Sequence, residues 1–190
     1  MIRILRQFAR QQQGLAVVEF ALALPFLMTM FYGCIEVTRF ILITQKVEKM
    51  AHSAADVTAQ SKVLTGSGMN QILAATNDIM QPFATGANSR VLISSLYRPQ
   101  GVANATVNWR HCGGGGLIST SHLGSVGATP VMPGTFTFNE RENVIAAEVF
   151  YQFSPLISNE FFGTTTVYRV AFYKPRLGLL TSTPAGITTC

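Results

Sequence analysis

The sequence predicts an α+β protein, a long N-terminal helix followed by a small antiparallel sheet. Three observations carry this reading. An apolar run with few charges extends from Leu15 to Ile43. Helical spacing of apolar residues continues beyond it to about Lys62. After that, β-branched and aromatic residues recur in short runs separated by Gly, Pro and Ser. The 190 residues suit one membrane-length segment and one domain with a modest core. The organisation read from this is a basic leader over 1–14, a continuous helix over 15–62 and an extracytoplasmic α+β domain over 63–190.

The leader carries Arg3, Arg6 and Arg10 and no acid. Those three account for most of the formal net charge of +5. The remaining cations, such as Arg90, Arg98, Arg110, Arg141 and Arg169, are scattered. A nucleic-acid surface concentrates its basic residues, so that class is set aside.

The helix is predicted to start in a segment long enough to cross a bilayer. Between Phe20 and Cys34 the clearly polar side chain is Thr29. About 20 residues at 1.5 Å each span the hydrocarbon core. Arginines before the segment put the N-terminus in the cytoplasm and the remainder outside. A cleaved secretory signal has a shorter apolar core and a small-residue cleavage site, and this run continues into more helix. Glu19 is the residue that needs a reason. A charge at a membrane helix centre costs roughly 2.5–3.5 kcal/mol on insertion scales, and such residues are functional candidates by default. Pro25 breaks the run of N–H donors and predicts a local kink. Glu36 and Arg39, three apart, share a face near the outer interface. Cys34 reads as a small apolar residue of the helix interior.

Past the bilayer, Ile43, Val47, Met50-Ala51, Ala54 and Val57-Thr58 recur at spacings of three and four, with Gln45, Lys46, Glu48 and Lys49 between them. That is an amphipathic helix with one face on a core. Gly66-Ser67-Gly68 is expected to break it. A short helix over Met69–Gln81 should end at Pro82. Arg90–Arg98 and Ala103–Arg110 read as a hairpin around Pro99-Gln100-Gly101. Gly113 to Glu140 reads as a long loop, with Gly113–Gly116 a slack turn. Asn143–Phe153 and Thr165–Lys174 are the next strands.

The residues around the leader junction resemble a known signal. Gln11-Gln12-Gln13-Gly14, then an apolar helix with Glu19 at its fifth residue, resembles a class III type IV prepilin signal. In that family a membrane peptidase cuts after the glycine and leaves the helix on the mature protein. The resemblance implies a cut between Gly14 and Leu15. Leu15 differs from the Phe or Met common after cleavage in type IV pilins, so the resemblance does not extend to N-methylation. Glu19-Phe20-Ala21-Leu22-x-Leu24-Pro25, then Gly33-x-Ile35-Glu36-x-x-Arg39, resembles the TadE-like minor pilins, or pseudopilins, of tight-adherence (Flp) pili. Ala147-Glu148-Val149-x-Tyr151-x-Phe153-x-Pro155-Leu156 and Arg169-Val170-Ala171-Phe172-Tyr173-x-Pro175-Arg176 resemble strands of the same family. Residues 113–140 lie outside the resemblance.

The resemblance implies a pilin-like fold and an assembly role in adhesion, biofilm formation or a related secretion machine. Its implied partners are the inner membrane, a prepilin peptidase, other pilins and tight-adherence assembly proteins. It implies that Glu19 meets the N-terminal amine of a neighbouring subunit, and that Phe20, Pro25, Glu36 and Arg39 take part in helix–helix contacts. Two plainer readings stand beside it. Glu19 snorkels to headgroups, and Glu36–Arg39 is an intrahelical pair worth a few tenths of a kcal/mol. The rival for the whole chain is an uncleaved single-pass anchor presenting a binding domain.

Cys112 and Cys190 would both lie in an oxidising space and are the disulfide candidates, with two free thiols as the alternative. Closing about 80 residues is worth about 4.5 kcal/mol in the chain-entropy model. His111, Cys112 and His122 are too few and too irregular for a zinc pattern. Gly113–Gly116 lacks the Lys and Ser/Thr of a phosphate loop. Asn104-Ala105-Thr106 matches a glycosylation sequon on a predicted strand. No nucleophile elbow or triad pattern is visible, so neither an enzyme nor a cofactor is expected.

Overall fold

A computed structural model describes residues 13–134, 136–156 and 163–190. The leader arginines lie outside the described residues. The chain divides into two compact units between Ile41 and Leu42.

The first helix, α1, spans Gln13–Ala59 and contains Pro25. Within the first unit its residues 14–32 are exposed on every face. Pro25 has no N–H, so the Ala21 carbonyl loses its donor one turn on. One turn further, the Thr29 hydroxyl donates to the Pro25 and Phe26 carbonyls at 3.0 and 2.9 Å. The Thr38 hydroxyl likewise donates to the Cys34 carbonyl at 2.8 Å. Such back-bonding keeps hydroxyls satisfied where no water is at hand. Cys34 is a free thiol and exposed on the helix, where an interior position was expected.

In the second unit α1 becomes amphipathic, as its spacing predicts. Ile43, Val47, Met50, Ala51, Ala54, Ala55 and Ala59 are buried in the main core. The alanines let the helix approach the sheet closely. Lys46 extends off this face, and its ammonium donates to the Ile79 and Gln81 carbonyls, both at 2.8 Å. The helix ends at Ala59, three residues before the expected Lys62, because the Ala59 carbonyl accepts from the Arg176 backbone N–H at 3.0 Å.

The expected break at Gly66-Ser67-Gly68 is instead the start of a helix. α2 spans Gly66–Asn77, with Thr65 as N-cap accepting from the Gly68 N–H. Gly66 is there for close approach: a Cβ would sit 1.8 Å from the Gly186 carbonyl oxygen. A 3-10 turn over Asp78–Met80 follows.

Four strands form one antiparallel sheet in the order β2-β1-β3-β4, with β1 Ser89–Tyr97, β2 Thr106–Gly113, β3 Asn143–Phe153 and β4 Thr165–Tyr173. The predicted hairpin is β1–β2. Gly101 at its turn has φ +73°, and the Val102 N–H reaches the Pro99 carbonyl. Asn104 and Ala105 of the sequon precede β2 instead of lying on it. A bulge at Ser95/Leu96 leaves Asn108 unopposed. It turns Val107 to one face and Trp109 to the other, so they enter different core clusters.

The sheet is covered on both sides. Ile93, Trp109, Ile145, Ala147 and Val149 meet α1. On the other face Leu96, Val107 and Ala146 pack under Leu123 and Phe138 of the long 113–140 segment. Gly113–Gly116 is no slack turn. A Cβ at Gly114 (φ +73°) would lie 2.6 Å from Val91, and one at Gly115 (φ +151°) would lie 2.3 Å from the Ser89 carbonyl. Only glycine permits this approach. Cys112 and Cys190 are joined by a disulfide.

Candidate assembly helix

The candidate site is the exposed part of α1. Its apolar side chains are not gathered on one face: Leu15, Val17, Val18, Phe20, Leu22 and Phe26 are each more than half exposed. A helix apolar all round needs an apolar surrounding. Among the described residues it is the one helix long and apolar enough to cross a membrane, by length and composition.

Gly14 and Leu15 lie in the first turns, both exposed. Glu19 follows one turn after Leu15, on the same face. It is exposed and has no ion-pair partner among the described residues. Phe20 is 61% exposed. About 26–30 Å along the axis from Glu19, Glu36 pairs with Arg39 at 3.1 Å. The intrahelical pair expected from their spacing is therefore formed. The structure brings together Glu36 with Arg39 and Cys112 with Cys190. It leaves Glu19 without a partner in its own chain among the described residues.

His111, Cys112 and His122 do not converge. Cys112 is in the disulfide. His111 meets Asn70 of α2 at 3.1 Å, whereas His122 packs edge-on against Phe150 and tilted against Tyr168. No group of three or more metal-ligating residues occurs among the described residues.

Sequence reasoning missed a buried polar clamp. Glu148 on β3 is 0% exposed. It accepts from the Ser121 hydroxyl, from the His122 N–H at 2.8 Å and from the Tyr168 hydroxyl at 3.1 Å. Beside it, Arg110 donates from Nε to the Ser94 hydroxyl at 2.8 Å and from Nη2 to the Gly124 carbonyl at 2.6 Å. Burial pushes the Arg110 pKa down, and the Glu148 charge opposes that. Burial, reinforced by the charge and hydrogen bond of Glu148, pushes the Tyr168 phenol well above its ordinary range. The clamp holds the 113–140 segment on the sheet. Three donors and a nearby cation leave Glu148 no free side for a substrate, so its role is structural.

The arrangement defines a class: an α+β domain whose first helix includes a largely apolar, exposed segment with one carboxylate, Glu19, that has no ion-pair partner among the described residues. Residues 14–56 match the model of the TadE-like protein family. The matched stretch starts at Gly14, lies within α1 and covers less than a quarter of the chain. Over that stretch the chain is similar to TadE-like proteins. No curated protein and no solved structure matches the chain.

Proposed function

We propose that this protein is a minor pilin or pseudopilin of a tight-adherence pilus system, cut between Gly14 and Leu15 by a prepilin peptidase. One observation carries the reading: Glu19 is exposed on an apolar helix with no ion-pair partner among the described residues of its own chain. Hydrolysis after Gly14 creates an α-amine with a pKa of about 7.7–8.0, cationic at neutral pH. That cation stands one turn from Glu19. An unpaired charge in lipid is penalised and a paired one much less. A neighbouring subunit's amine against Glu19, and Glu19 against the next, lets apolar helices associate in a defined register. Phe20 and the apolar residues around it then supply the van der Waals contacts. The chain is anchored in the inner membrane with its N-terminus cytoplasmic and its 63–190 domain outside, and it is available for incorporation into a surface pilus. Pro25 and the Glu36–Arg39 pair lie further along the same helix and are further candidates for helix–helix contacts.

The test is the mature N-terminus. The full chain is expressed with and without its cognate prepilin peptidase, and membrane-bound product is sequenced from its amino end. The proposal expects Leu15 as the first residue when the peptidase is active and Met1 when it is absent. A Met1 start in the presence of active peptidase supports the uncleaved anchor instead.

A further inference from the structure

We infer that the last ten residues, Thr181–Cys190, form a strap with a proton-operated lock at Thr188, held by His111 of β2. The strap is fastened at four places. The Asn108 side chain donates to the Thr181 carbonyl at 3.3 Å. The Gly66 N–H donates to the Ala185 carbonyl at 2.8 Å. At the third place, the Cys112 N–H donates to the Thr188 carbonyl at 2.8 Å, and the Thr188 N–H donates to His111 Nδ1 at 3.0 Å. Finally, Cys190 is bonded to Cys112. The strap thereby occupies the outer edge of β2 at Cys112, which would otherwise offer unpaired backbone groups.

The third fastening sets the protonation state of a buried ring. Because Nδ1 accepts from a backbone N–H, it carries no proton. Nε2 is then the protonated nitrogen and donates to the Asn70 Oδ1 at 3.1 Å. Both ring nitrogens are used, and the ring is 0% exposed. A second proton has one place to go, Nδ1, and there it would oppose the Thr188 N–H, donor against donor. Ile93 stands opposite His111 in the β1 pairing, and the ring meets Asn70 of α2 and Thr188 of the strap. None of these is titratable or charged, and burial alone moves the pKa of His111, downward. No neighbouring carboxylate among the described residues favours the imidazolium. The sign follows directly. The folded ring binds its proton less readily than the free strap would allow, so the lock is fully closed above the ordinary histidine value of about 6.5. It weakens as pH falls from there toward the lower folded value. The disulfide retains the strap's end while the segment ahead of it opens.

The experiment uses the full, disulfide-intact chain, labelled with nitrogen-15 in detergent micelles. Imidazole nitrogen spectra assign the His111 tautomer, and amide exchange is followed between about pH 5 and about pH 8. The expected neutral form carries its proton on Nε2. After correction for intrinsic exchange, protection of the Thr188 amide should fall by up to about tenfold per pH unit below about 6.5. The Leu180 amide is the internal control. It donates to the Asn143 Oδ1, which does not titrate, at 2.8 Å, and its protection should stay flat. His111→Gln should flatten the Thr188 profile. A neutral ring protonated on Nδ1, Thr188 protection that is constant while His111 titrates, or Thr188 and Leu180 weakening together would each overturn the lock. The wild-type readings decide the matter even if His111→Gln fails to fold.

Discussion

Glu148→Ala is expected to destabilise the outer domain by about 3–5 kcal/mol, the scale for removing one member of a buried charged group. The carboxylate is 0% exposed and holds the Ser121 hydroxyl, the His122 N–H and the Tyr168 hydroxyl at once. Alanine would leave three partly buried donors without their acceptor and the buried Arg110 without the nearby Glu148 charge. The damage should localise first to the 113–140 segment, because two of the three donors, Ser121 and His122, belong to it. Glu148→Gln keeps one acceptor oxygen but turns an N–H₂ toward a donor, so an intermediate loss of about 1–3 kcal/mol is expected. Urea unfolding of the full chain in detergent, with limited proteolysis to find the first cut, measures both. A change under about 0.5 kcal/mol for Glu148→Ala, the range of ordinary surface substitutions, would show that the clamp contributes nothing.

The second large effect is functional. Glu19→Ala should abolish or severely reduce pilus assembly while leaving the stability of the outer domain and cleavage after Gly14 unchanged. Glu19 belongs to the first unit and is not among the core residues of the second. Removing the carboxylate makes the isolated helix better suited to lipid, since it deletes the charge. A loss of assembly is therefore not a loss of insertion. Glu19→Gln keeps size and hydrogen bonding but not charge, and should resemble alanine if pairing to an amine is the point. Glu19→Asp should retain partial function. Piliation counted by microscopy and adhesion assays, with the mature protein quantified in membranes, provide the readout. Normal piliation in Glu19→Ala would return Glu19 to snorkelling.

Much of the fold was legible because its signals are local. The helix from Leu15 onward and its switch from uniformly apolar to amphipathic after Ile43 follow from length and the 3.6 period, and the four strands from short runs rich in β-branched and aromatic residues. The disulfide candidates were legible from compartment and count. What escaped depends on distant partners. Ala59 ends α1 because Arg176, over a hundred residues on, supplies a donor. Gly66 has no room for a side chain because the strap passes within contact of it. Nothing near His111 in sequence reveals its partner Thr188, 77 residues away. Glu148 is the instructive case. It is a lone carboxylate in the otherwise largely apolar Asn143–Phe153 strand, and it should have raised the same question that Glu19 raises in the helix. Both carboxylates are costly where they stand. Glu148 finds its donors within the chain. Glu19 has no ion-pair partner there among the described residues.

That contrast places the central claim on one bond between chains, the Glu19 carboxylate against a neighbour's new N-terminus. Treating assembled pili or native membranes with a hydrophobic carbodiimide, digesting with trypsin and sequencing the products tests it directly. The mature chain has no Lys or Arg between Leu15 and Arg39, so trypsin releases this segment whole. The account predicts a peptide pair in which Glu19 of Leu15–Arg39 is joined by an amide to the α-amine of a neighbouring subunit's first peptide. Recovering only the unlinked carbodiimide adduct of Glu19, or a ring closed within a single peptide, from assembled material would contradict it.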